Sequence, residues 1–306
     1  MHNGPTTCLA FDHLGRLYSG SYDCQVIAWN ATLDDVRWNA RHDGLVNGIT
    51  ATESLLLSVG ADRLVRAWDL DSGGEKTKSF APRVDDLNII RVSADQSLIV
   101  ASGDEGKICV YDASDTKLRW ERQSCLPQTF GESIEAMDLV QLPNGEEAII
   151  AGDGSGNVVL LDIDGQIIDR ARLPGTAECC CYSPWDRSVV FGLADGSIIS
   201  LAIAGLEVKA ARREHRSTVK AVAASEDGHI ASASYDGTLI LWHGGSLEQL
   251  ERVRLTAPNA RGWARGLAFN PHRPSELAVT ALDARPFIRD MSSKQVISGS
   301  GVAHPA

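Results

Sequence analysis

The chain has 306 residues, with 40 acidic and 29 basic side chains, and 43% of its residues are apolar. This apolar content is enough for a large packed core and excludes a disordered chain. The net charge of -11 argues against nucleic acid as the main ligand, because such binding depends on neutralising phosphates.

The sequence also lacks the features of membrane and secreted proteins. No apolar run approaches the ~20 residues that span a bilayer, and the first residues lack the basic and apolar regions of a secretory signal. Seven cysteines without framework spacing fit a reducing compartment better than a disulfide scaffold. These features predict a cytoplasmic protein, with the nucleus as the alternative location and no membrane partner.

A pattern of two short strands recurs along the chain. In each copy an apolar strand leads into a turn of small residues with Asp or a substitute, and a second strand ends in an aromatic residue or its replacement. The second strands end at positions 29, 68, 111, 161, 201, 242 and 289, at intervals that average about 43 residues. A four-stranded propeller blade has the same length, ~40–45 residues.

The seven copies predict an all-β fold, a seven-bladed β-propeller of four-stranded antiparallel blades, in a single domain over residues 1–306. Segments such as 148–151 and 188–191 are short, rich in β-branched residues and bounded by turn residues, which is typical of strands. The closest approach to a helical pattern, residues 246–254, is interpreted as a connector turn. Two insertions, residues 112–133 and 243–262, are expected to be loops, and their role stays open.

Three copies share a set of four residue types at matching spacing. A His precedes a Ser, an Asp and a Trp, and 20 or 21 residues separate the His from the Asp. The sets are His2, Ser19, Asp23 and Trp29; His42, Ser58, Asp62 and Trp68; and His215, Ser232, Asp236 and Trp242.

This pattern resembles the WD-repeat β-propeller family. The resemblance implies that the four side chains of each set form a buried hydrogen-bonded network, a structural tetrad. A buried carboxylate needs donors, and imidazole, indole and hydroxyl groups supply them. These histidines are therefore interpreted as structural rather than as metal ligands or acid–base catalysts.

The other four copies depart from the signature. Glu105 and Ser155 stand at the turn position of two copies, and Tyr111, Leu161, Leu201 and Arg289 replace the Trp. These blades are expected to be held by apolar packing.

The ends of the chain predict how the ring closes. Most family members complete the last blade with their N-terminal segment, but here the first copy begins with its inner strand, residues 6–11. The last copy contains its own outer strand, residues 295–298. We therefore predict closure by side-chain packing between the last and first blades, without residues 1–5 in the last sheet.

The sequence contains no convincing catalytic, metal or cofactor motif. It lacks G-x-S-x-G, a phosphate loop ending in Lys-Ser/Thr, and His-Glu-x-x-His. Residues 152–156 and 162–165 are interpreted as strand-to-strand turns rather than as phosphate or calcium loops. Residues 179–181, three successive cysteines in an inner strand, should point to alternating faces and act as small core residues.

We therefore expect no catalytic residue, metal or cofactor, and a protein that is not an enzyme. The alternative is a propeller-type hydrolase or esterase, which would be recognised by a pocket on the ring axis with converging titratable groups.

The family resemblance implies a non-catalytic scaffold for protein–protein interactions. We expect a monomeric propeller that binds a partner protein or peptide within a multi-protein complex. In the family, side chains three and five positions after the tetrad His, and the one before the Asp, point outward on the binding face. Carried over to this sequence, with the seventh copy aligned through Phe269 with Phe11, these positions include Thr7 and Asn47 and assign the partner-binding face to Tyr22, Lys220, Tyr235, Trp263 and Arg265.

The charges of this face suggest a class of partner. Asp86, Asp104 and Glu178 make the arc opposite the basic and aromatic residues acidic. One hypothesis is that the aromatic-basic half holds an acidic or phosphorylated peptide, since Tyr, Trp and Arg are enriched in binding hot spots. The alternative is that these charges are only solvated.

Overall fold

Every regular element in the described part of the chain is a β-strand. The computed structural model describes residues 1–76, 79–81, 86–123, 133–255, 264–281 and 285–298. The strands are rich in Val, Ile and Leu, which suit the pleated, half-buried surface of a sheet. Gly156 and Gly196 occupy equivalent hairpin turns with φ of 81° and 91°, a left-handed conformation that favours glycine.

The strands group into seven blades, which we number in chain order. Blade 1 contains β1 (Thr6–Phe11), β2 (Leu17–Ser21), β3 (Gln25–Trp29) and β4 (Val36–Arg41), and blade 2 contains β5 (Val46–Ala51), β6 (Leu55–Gly60) and β7 (Val65–Asp69). Blade 3 contains β8 (Leu87–Val92), β9 (Leu98–Gly103), β10 (Lys107–Asp112) and β11 (Leu118–Gln123). Blade 4 contains β12 (Ile134–Gln141), β13 (Glu147–Asp153), β14 (Asn157–Asp162) and β15 (Ile167–Arg172).

The last three blades repeat the same order. Blade 5 contains β16 (Ala177–Ser183), β17 (Ser188–Leu193), β18 (Ser197–Ala202) and β19 (Val208–Arg213). Blade 6 contains β20 (Val219–Ala224), β21 (His229–Ser234), β22 (Thr238–His243) and β23 (Glu248–Arg254). Blade 7 contains β24 (Ala264–Asn270), β25 (Arg273–Ala281), β26 (Phe287–Asp290) and β27 (Gln295–Ser298).

Each blade is an antiparallel sheet whose strands pair in chain order, so the predicted seven-bladed propeller is confirmed. Six blades have four strands. In blade 2 the outer edge is reduced to two isolated bridges, between Val65 and Phe80 and between Trp68 and Glu75. Residues 77–78, between these bridges, lie outside the described part of the chain.

The inner strands form a closed ring. Each contacts the inner strand of the next blade, and β24 contacts β1. The first residues stay with their own blade, because the Pro5 carbonyl accepts from the Tyr22 amide at 2.9 Å. Since β27 supplies the outer strand of blade 7, closure by packing between blades 7 and 1 is confirmed.

The hydrophobic core lies between neighbouring blades. Phe191 is fully buried between blades 4 and 5, where it packs with Ile150, Leu160 and Leu201. A second cluster joins blades 3 and 4. Blades 3, 4 and 5, which lack the full signature, are thus held largely by apolar packing, as expected.

Two outer-strand tryptophans join blades at the rim. The Trp38 indole on β4 donates to the Leu70 carbonyl of blade 2 at 3.0 Å. The Trp120 indole on β11 donates to the Ile163 carbonyl of blade 4 at 2.7 Å. Trp38 is buried and Trp120 is half-buried, and in both the indole N–H has a hydrogen-bond acceptor, as an indole removed from water requires.

Arg289, at the Trp position of blade 7, does not form the expected apolar contact. Its side chain is only 3% exposed, and its Nη2 donates to Oε1 of Glu251 on β23 at 2.7 Å. A buried guanidinium needs such a partner, because an unpaired buried charge is costly. An ion pair between blades 6 and 7 thus replaces the expected apolar contact.

The interpretation of residues 246–254 as a connector turn was wrong. Residues Glu248–Arg254 form β23, the outer strand of blade 6. Its many long polar side chains resemble a helical or loop segment, but Val253 pairs with Leu239 and is buried. Of the other insertion, Leu118–Gln123 is β11, and residues 124–132 lie outside the described part.

The close approach of two strands in blade 2 gives a test of the fold. An ideal Cβ at position 60 would lie 1.9 Å from the Leu45 carbonyl oxygen. We expect Gly60→Ala to lower the free energy of unfolding by about 1–3 kcal/mol through overpacking. Urea unfolding would measure the change. The matched control is Gly175→Ala, because nothing lies within 4 Å of a Cβ there. Equal losses of stability in both variants would contradict the close approach of Gly60 to Leu45.

Candidate axial binding face

The inner strand of every blade contains a β-bulge at its second residue. In blade 1 the backbone register shifts between Thr6 and Cys8, so no residue of β2 lies opposite Thr7 in the ladder. A bulge adds one unpaired residue and re-aims its side chain. The same shift in the other blades gives seven bulge residues, which in ring order are Thr7, Asn47, Asn88, Glu135, Glu178, Lys220 and Arg265.

All seven bulge residues line one cavity of about 450 Å³ on the ring axis. We call these residues the axial ring. Tyr22, Ala61 and Asp104, from the turns between second and third strands, line the same cavity. We call this end of the propeller the axial face, and the end with the other intra-blade turns the opposite face.

Backbone hydrogen bonds fix each turn to the start of its inner strand. In six blades a turn amide donates to the carbonyl of the residue just before the inner strand, over distances of 2.9–3.3 Å. The pairs, donor first, are Tyr22 and Pro5, Ala61 and Leu45, Asp104 and Asp86, Gly154 and Ser133, Ala194 and Thr176, and Tyr235 and Thr218. The equivalent turn of blade 7 includes residues 282–284, which lie outside the described part.

The uncharged members of the axial ring join neighbouring blades. The Thr7 hydroxyl donates to the Val46 carbonyl of blade 2 at 2.6 Å. The Asn47 side-chain amide donates to the Leu87 carbonyl of blade 3 at 3.0 Å. These bonds satisfy carbonyl groups near the bulges, where regular pairing is interrupted.

Two carboxylates of blades 3 and 4 share the same donors. The Asn88 amide lies 2.7 Å from Asp104 Oδ1 and 3.3 Å from Glu135 Oε1. The Ser133 hydroxyl lies 3.2 Å from Asp104 Oδ1 and 2.9 Å from Glu135 Oε1. Within the described part of the chain neither carboxylate has a cation within ion-pair distance.

The basic and aromatic residues contact one another on the other side of the cavity. The Lys220 ammonium donates to Glu178 and lies 5.9 Å from the centre of the Tyr235 ring. Arg265 donates to the Tyr22 hydroxyl, and its guanidinium carbon lies 5.0 Å from that ring centre. Four of the five residues predicted for partner binding are thus brought together in two pairs.

These contacts change the expected charge pattern of the face. Burial alone would lower the pKa of Lys220, but the Glu178 carboxylate raises it above its ordinary value. Lys220 is therefore charged and already neutralised by Glu178, which had been assigned to the acidic arc. Trp263, the fifth predicted residue, lies outside the described part of the chain.

The structure brings the four side chains of each predicted tetrad together. In blades 1 and 2 the His Nδ1 lies 3.1 and 2.9 Å from the Asp carboxylate, and in blade 6 it lies 3.4 Å from Asp236 and 2.9 Å from Thr238 Oγ1. In all three blades the His Nε2 and the Trp indole meet at the Ser hydroxyl, at distances of 2.6–2.8 Å.

Asp62 shows what the tetrad does electrostatically. Burial alone would raise the pKa of its carboxyl group, but hydrogen bonds from His42 and Arg66 lower it to about 2. The Arg66 Nε lies 3.0 Å from the carboxylate. The folded state therefore favours ionised Asp62. The contact between His42 and this carboxylate links the turn of blade 2 to the segment before its inner strand.

The axial cavity contains several titratable groups. A pocket of this kind was the feature expected of a hydrolase, so its presence alone does not distinguish a hydrolase from a scaffold. Its thiols, however, are unsuited to nucleophilic attack. Burial raises the pKa of Cys8 to about 11 and that of Cys179 to about 12. A thiol attacks as the thiolate, so these cysteines are inert near neutral pH.

The three successive cysteines lie on alternating faces, as predicted. Cys180 packs in the cluster between blades 4 and 5, and Cys181 packs between blades 5 and 6. Among the residues that the structure describes, no group of three or more His, Cys, Asp or Glu side chains is arranged to hold a metal ion. In the same residues no helix has the length and apolar character needed to cross a membrane.

Sequence reasoning missed two members of the axial ring, Asn88 and Glu135. Blades 3 and 4 lack a tetrad His, so no anchor was available from which to count. A simpler signal exists, because the first residue of every inner strand is buried and the second is polar. Leu87-Asn88 and Ile134-Glu135 both fit it.

Comparisons with known proteins agree with the fold. A family model described as "WD domain, G-beta repeat" matches residues 207–243. A second model, described as "Outer membrane protein assembly factor BamB", matches residues 2–137. The solved structure titled "Structure of U3-55K" superposes with a TM-score of 0.78 over 92% of this chain and 90% of that chain, at 16% identity.

Several curated proteins are similar in sequence. A ribosome biogenesis protein WDR12 homolog of Chlamydomonas reinhardtii is 27% identical over 74% of this chain and 60% of that protein. A p21-activated protein kinase-interacting protein 1-like of Xenopus laevis is 24% identical over 60% of this chain and 61% of that protein. A ciliary WD repeat-containing protein of Euplotoides octocarinatus is 22% identical, and only 38% of its length is matched. The chain thus spans about two fifths to three fifths of these relatives.

The depressed pKa of Asp62 gives a pH-dependent prediction. The folded pKa of about 2 lies below the unfolded value of about 3.9, so ionised Asp62 stabilises the fold above pH 4. We expect Asp62→Asn to cost about 2 kcal/mol at pH 7, and the difference from the natural protein to halve by about pH 3.

Urea unfolding at a series of pH values would measure this difference. The control is Glu53→Gln, which changes an exposed carboxylate of blade 2 and should alter stability little at any pH. A cost for Asp62→Asn that stays constant from pH 7 to about pH 3 would contradict the predicted linkage.

Proposed function

We propose that this chain, which belongs to the WD-repeat β-propeller family, is a non-catalytic scaffold that binds a partner protein or peptide on its axial face. The observation that carries the proposal is the axial ring. Seven bulges place one side chain from each blade around a single cavity, on rigid strands rather than on long loops. Rigidly held groups lose little freedom on binding, which favours recognition.

The surroundings of the cavity suit a protein partner. Leu45, 40% exposed on the axial face, offers an apolar contact beside the polar ring. Tyr22 and Tyr235 present aromatic surface, a residue type enriched at protein interfaces. Apolar and aromatic contacts beside hydrogen-bonding groups are typical of protein interfaces.

The names of the relatives support a role in protein assemblies. They include a ribosome biogenesis protein, p21-activated protein kinase-interacting proteins and a serine-threonine kinase receptor-associated protein of Mus musculus. We extend to this chain only the common feature, membership of a multi-protein complex. A monomeric propeller with a protein as its main ligand, rather than nucleic acid or membrane, remains our prediction.

The location of the chain also remains a prediction. We favour the cytoplasm, and the ribosome biogenesis relative is compatible with the nuclear alternative. The hydrolase alternative is less favoured by the cavity chemistry, because its thiols are held protonated by burial. The described histidines of the three tetrads are engaged with Ser and Asp side chains.

The proposal can be tested by affinity purification with mass spectrometry. We expect the double variant Tyr22→Ala/Arg265→Ala to lose most of the proteins that the natural chain recovers, since both contacting side chains leave the axial face together. A loss of at least about tenfold in recovery is expected for removal of an interface anchor.

The control is Trp185→Ala, which removes an indole that is 59% exposed in the β16–β17 turn of the opposite face. It should leave recovery unchanged. If Trp185→Ala abolishes recovery and the axial variant does not, the partner binds the opposite face and the proposal is wrong. Equal thermal unfolding curves for both variants would show that folding is not the cause.

A further inference from the structure

We propose that the partner inserts a Lys or Arg side chain into the axial cavity, at Asp104 and Glu135. This inference rests on the proposed function and specifies the chemistry of the partner. It reverses the hypothesis drawn from the sequence, in which an acidic or phosphorylated peptide is the ligand.

The balance of charge around the cavity carries the inference. Among the described residues, four carboxylates line it, namely Asp86, Asp104, Glu135 and Glu178, and three cations line it, namely Arg91, Lys220 and Arg265. Counting alone gives only a small excess of negative charge. The decisive point is which of these groups already has a partner of opposite charge.

Two of the three cations are paired with a carboxylate. Lys220 is bound to Glu178, and both side chains are mostly buried. The Arg91 Nε donates to Asp138 at 2.7 Å. Arg265 donates to the Tyr22 hydroxyl and lies over its ring, so its partner is neutral and its positive charge stays on the side of blades 7 and 1, away from Asp104 and Glu135.

Among the residues that the structure describes, Asp104 and Glu135 have no such cation partner. The Asn88 amide and the Ser133 hydroxyl are neutral donors, and between them they bond to both Asp104 and Glu135. Within the described part of the chain, the ion pair of Asp86, on the same side, is with the exposed Arg63 at 3.9 Å. An exposed pair at that distance neutralises little. The charge that the described residues leave on this side of the cavity is therefore negative.

A basic side chain is complementary to this arrangement in charge and in hydrogen bonding. Carboxylate oxygens only accept, while an ammonium or guanidinium group only donates, and such charge-assisted bonds are the stronger class. The apolar stem of Lys or Arg could pack against Leu45 and Met137, which line the same cavity. A phosphate group, an acidic peptide or RNA would instead meet like charge at Asp104 and Glu135.

Random peptides displayed on phage provide a probe for a partner that has not been identified. We expect the natural chain to select peptides enriched in Lys or Arg. Asp104→Asn/Glu135→Gln should weaken binding of the selected peptides by about tenfold, the effect of losing charge-assisted hydrogen bonds. Affinity for these peptides should also fall as salt is raised, and more steeply for the natural chain than for this variant.

The matched control is Asp164→Asn/Glu146→Gln, which removes the same two residue types from exposed turns of the opposite face in blade 4. It changes the net charge equally and should leave peptide affinity unchanged. If it weakens binding as much as the axial variant does, the overall charge is responsible and the inference is wrong.

The outcomes separate this inference from the proposed function. Selected peptides that lose affinity in Tyr22→Ala/Arg265→Ala but are acidic, or are insensitive to Asp104→Asn/Glu135→Gln, would overturn the inference and leave the scaffold proposal standing. Binding of a short single-stranded RNA that is lost in the Tyr22→Ala/Arg265→Ala variant would also overturn it. Failure to select any peptide, or peptides indifferent to every axial substitution, would count against both proposals.

Discussion

The β-bulge at the second residue of each inner strand is the constraint on which the axial face depends. Along a regular strand side chains alternate between two faces, which here are the contacts with the two neighbouring blades. One extra residue breaks that alternation and turns one side chain toward the cavity. In blade 4, Ile134 is buried in the core between blades, and Glu135 beside it lines the axial cavity. Repetition of this step in seven blades turns a local irregularity into a ring.

The tetrads and the bulges are parts of one arrangement. In blade 2, His42 joins Asp62 in the turn to Ser58 in the second strand, so the segment before the inner strand is held against the turn. The bulge of Asn47 follows directly. Blade 4 has no tetrad, yet the Gly154 amide still donates to the Ser133 carbonyl. The backbone bond is thus the shared element, and the tetrad reinforces it in some blades.

The sequence was sufficient to predict the blades but not the side-chain contacts between them. A repeated strand–turn–strand pattern predicts the sheets because each blade satisfies its own hydrogen bonds locally. The pairing of Lys220 with Glu178 joins residues 42 positions apart through two bulges, and no local pattern encodes that geometry. Arg289 was misjudged for a similar reason, since its partner Glu251 lies in another blade. The outer strand that carries Glu251 was itself obscured by long polar side chains, which suit a sheet edge as well as a loop.

In each inner strand the residue that packs in the core is separate from the residue that lines the cavity. The first residue of each inner strand is buried and contributes to the core, while the second lines the cavity. Substitutions at the second position can therefore change the charge of the axial face while the buried first residue stays the same. The charges of the axial ring are unevenly distributed in this chain. Neutral residues in blades 1 to 3 donate to neighbouring groups, and the cation of blade 6 is neutralised by blade 5. Asp104 and Glu135 are left without a cation among the residues described, and for that reason a partner's basic group would find its complement on this side of the cavity.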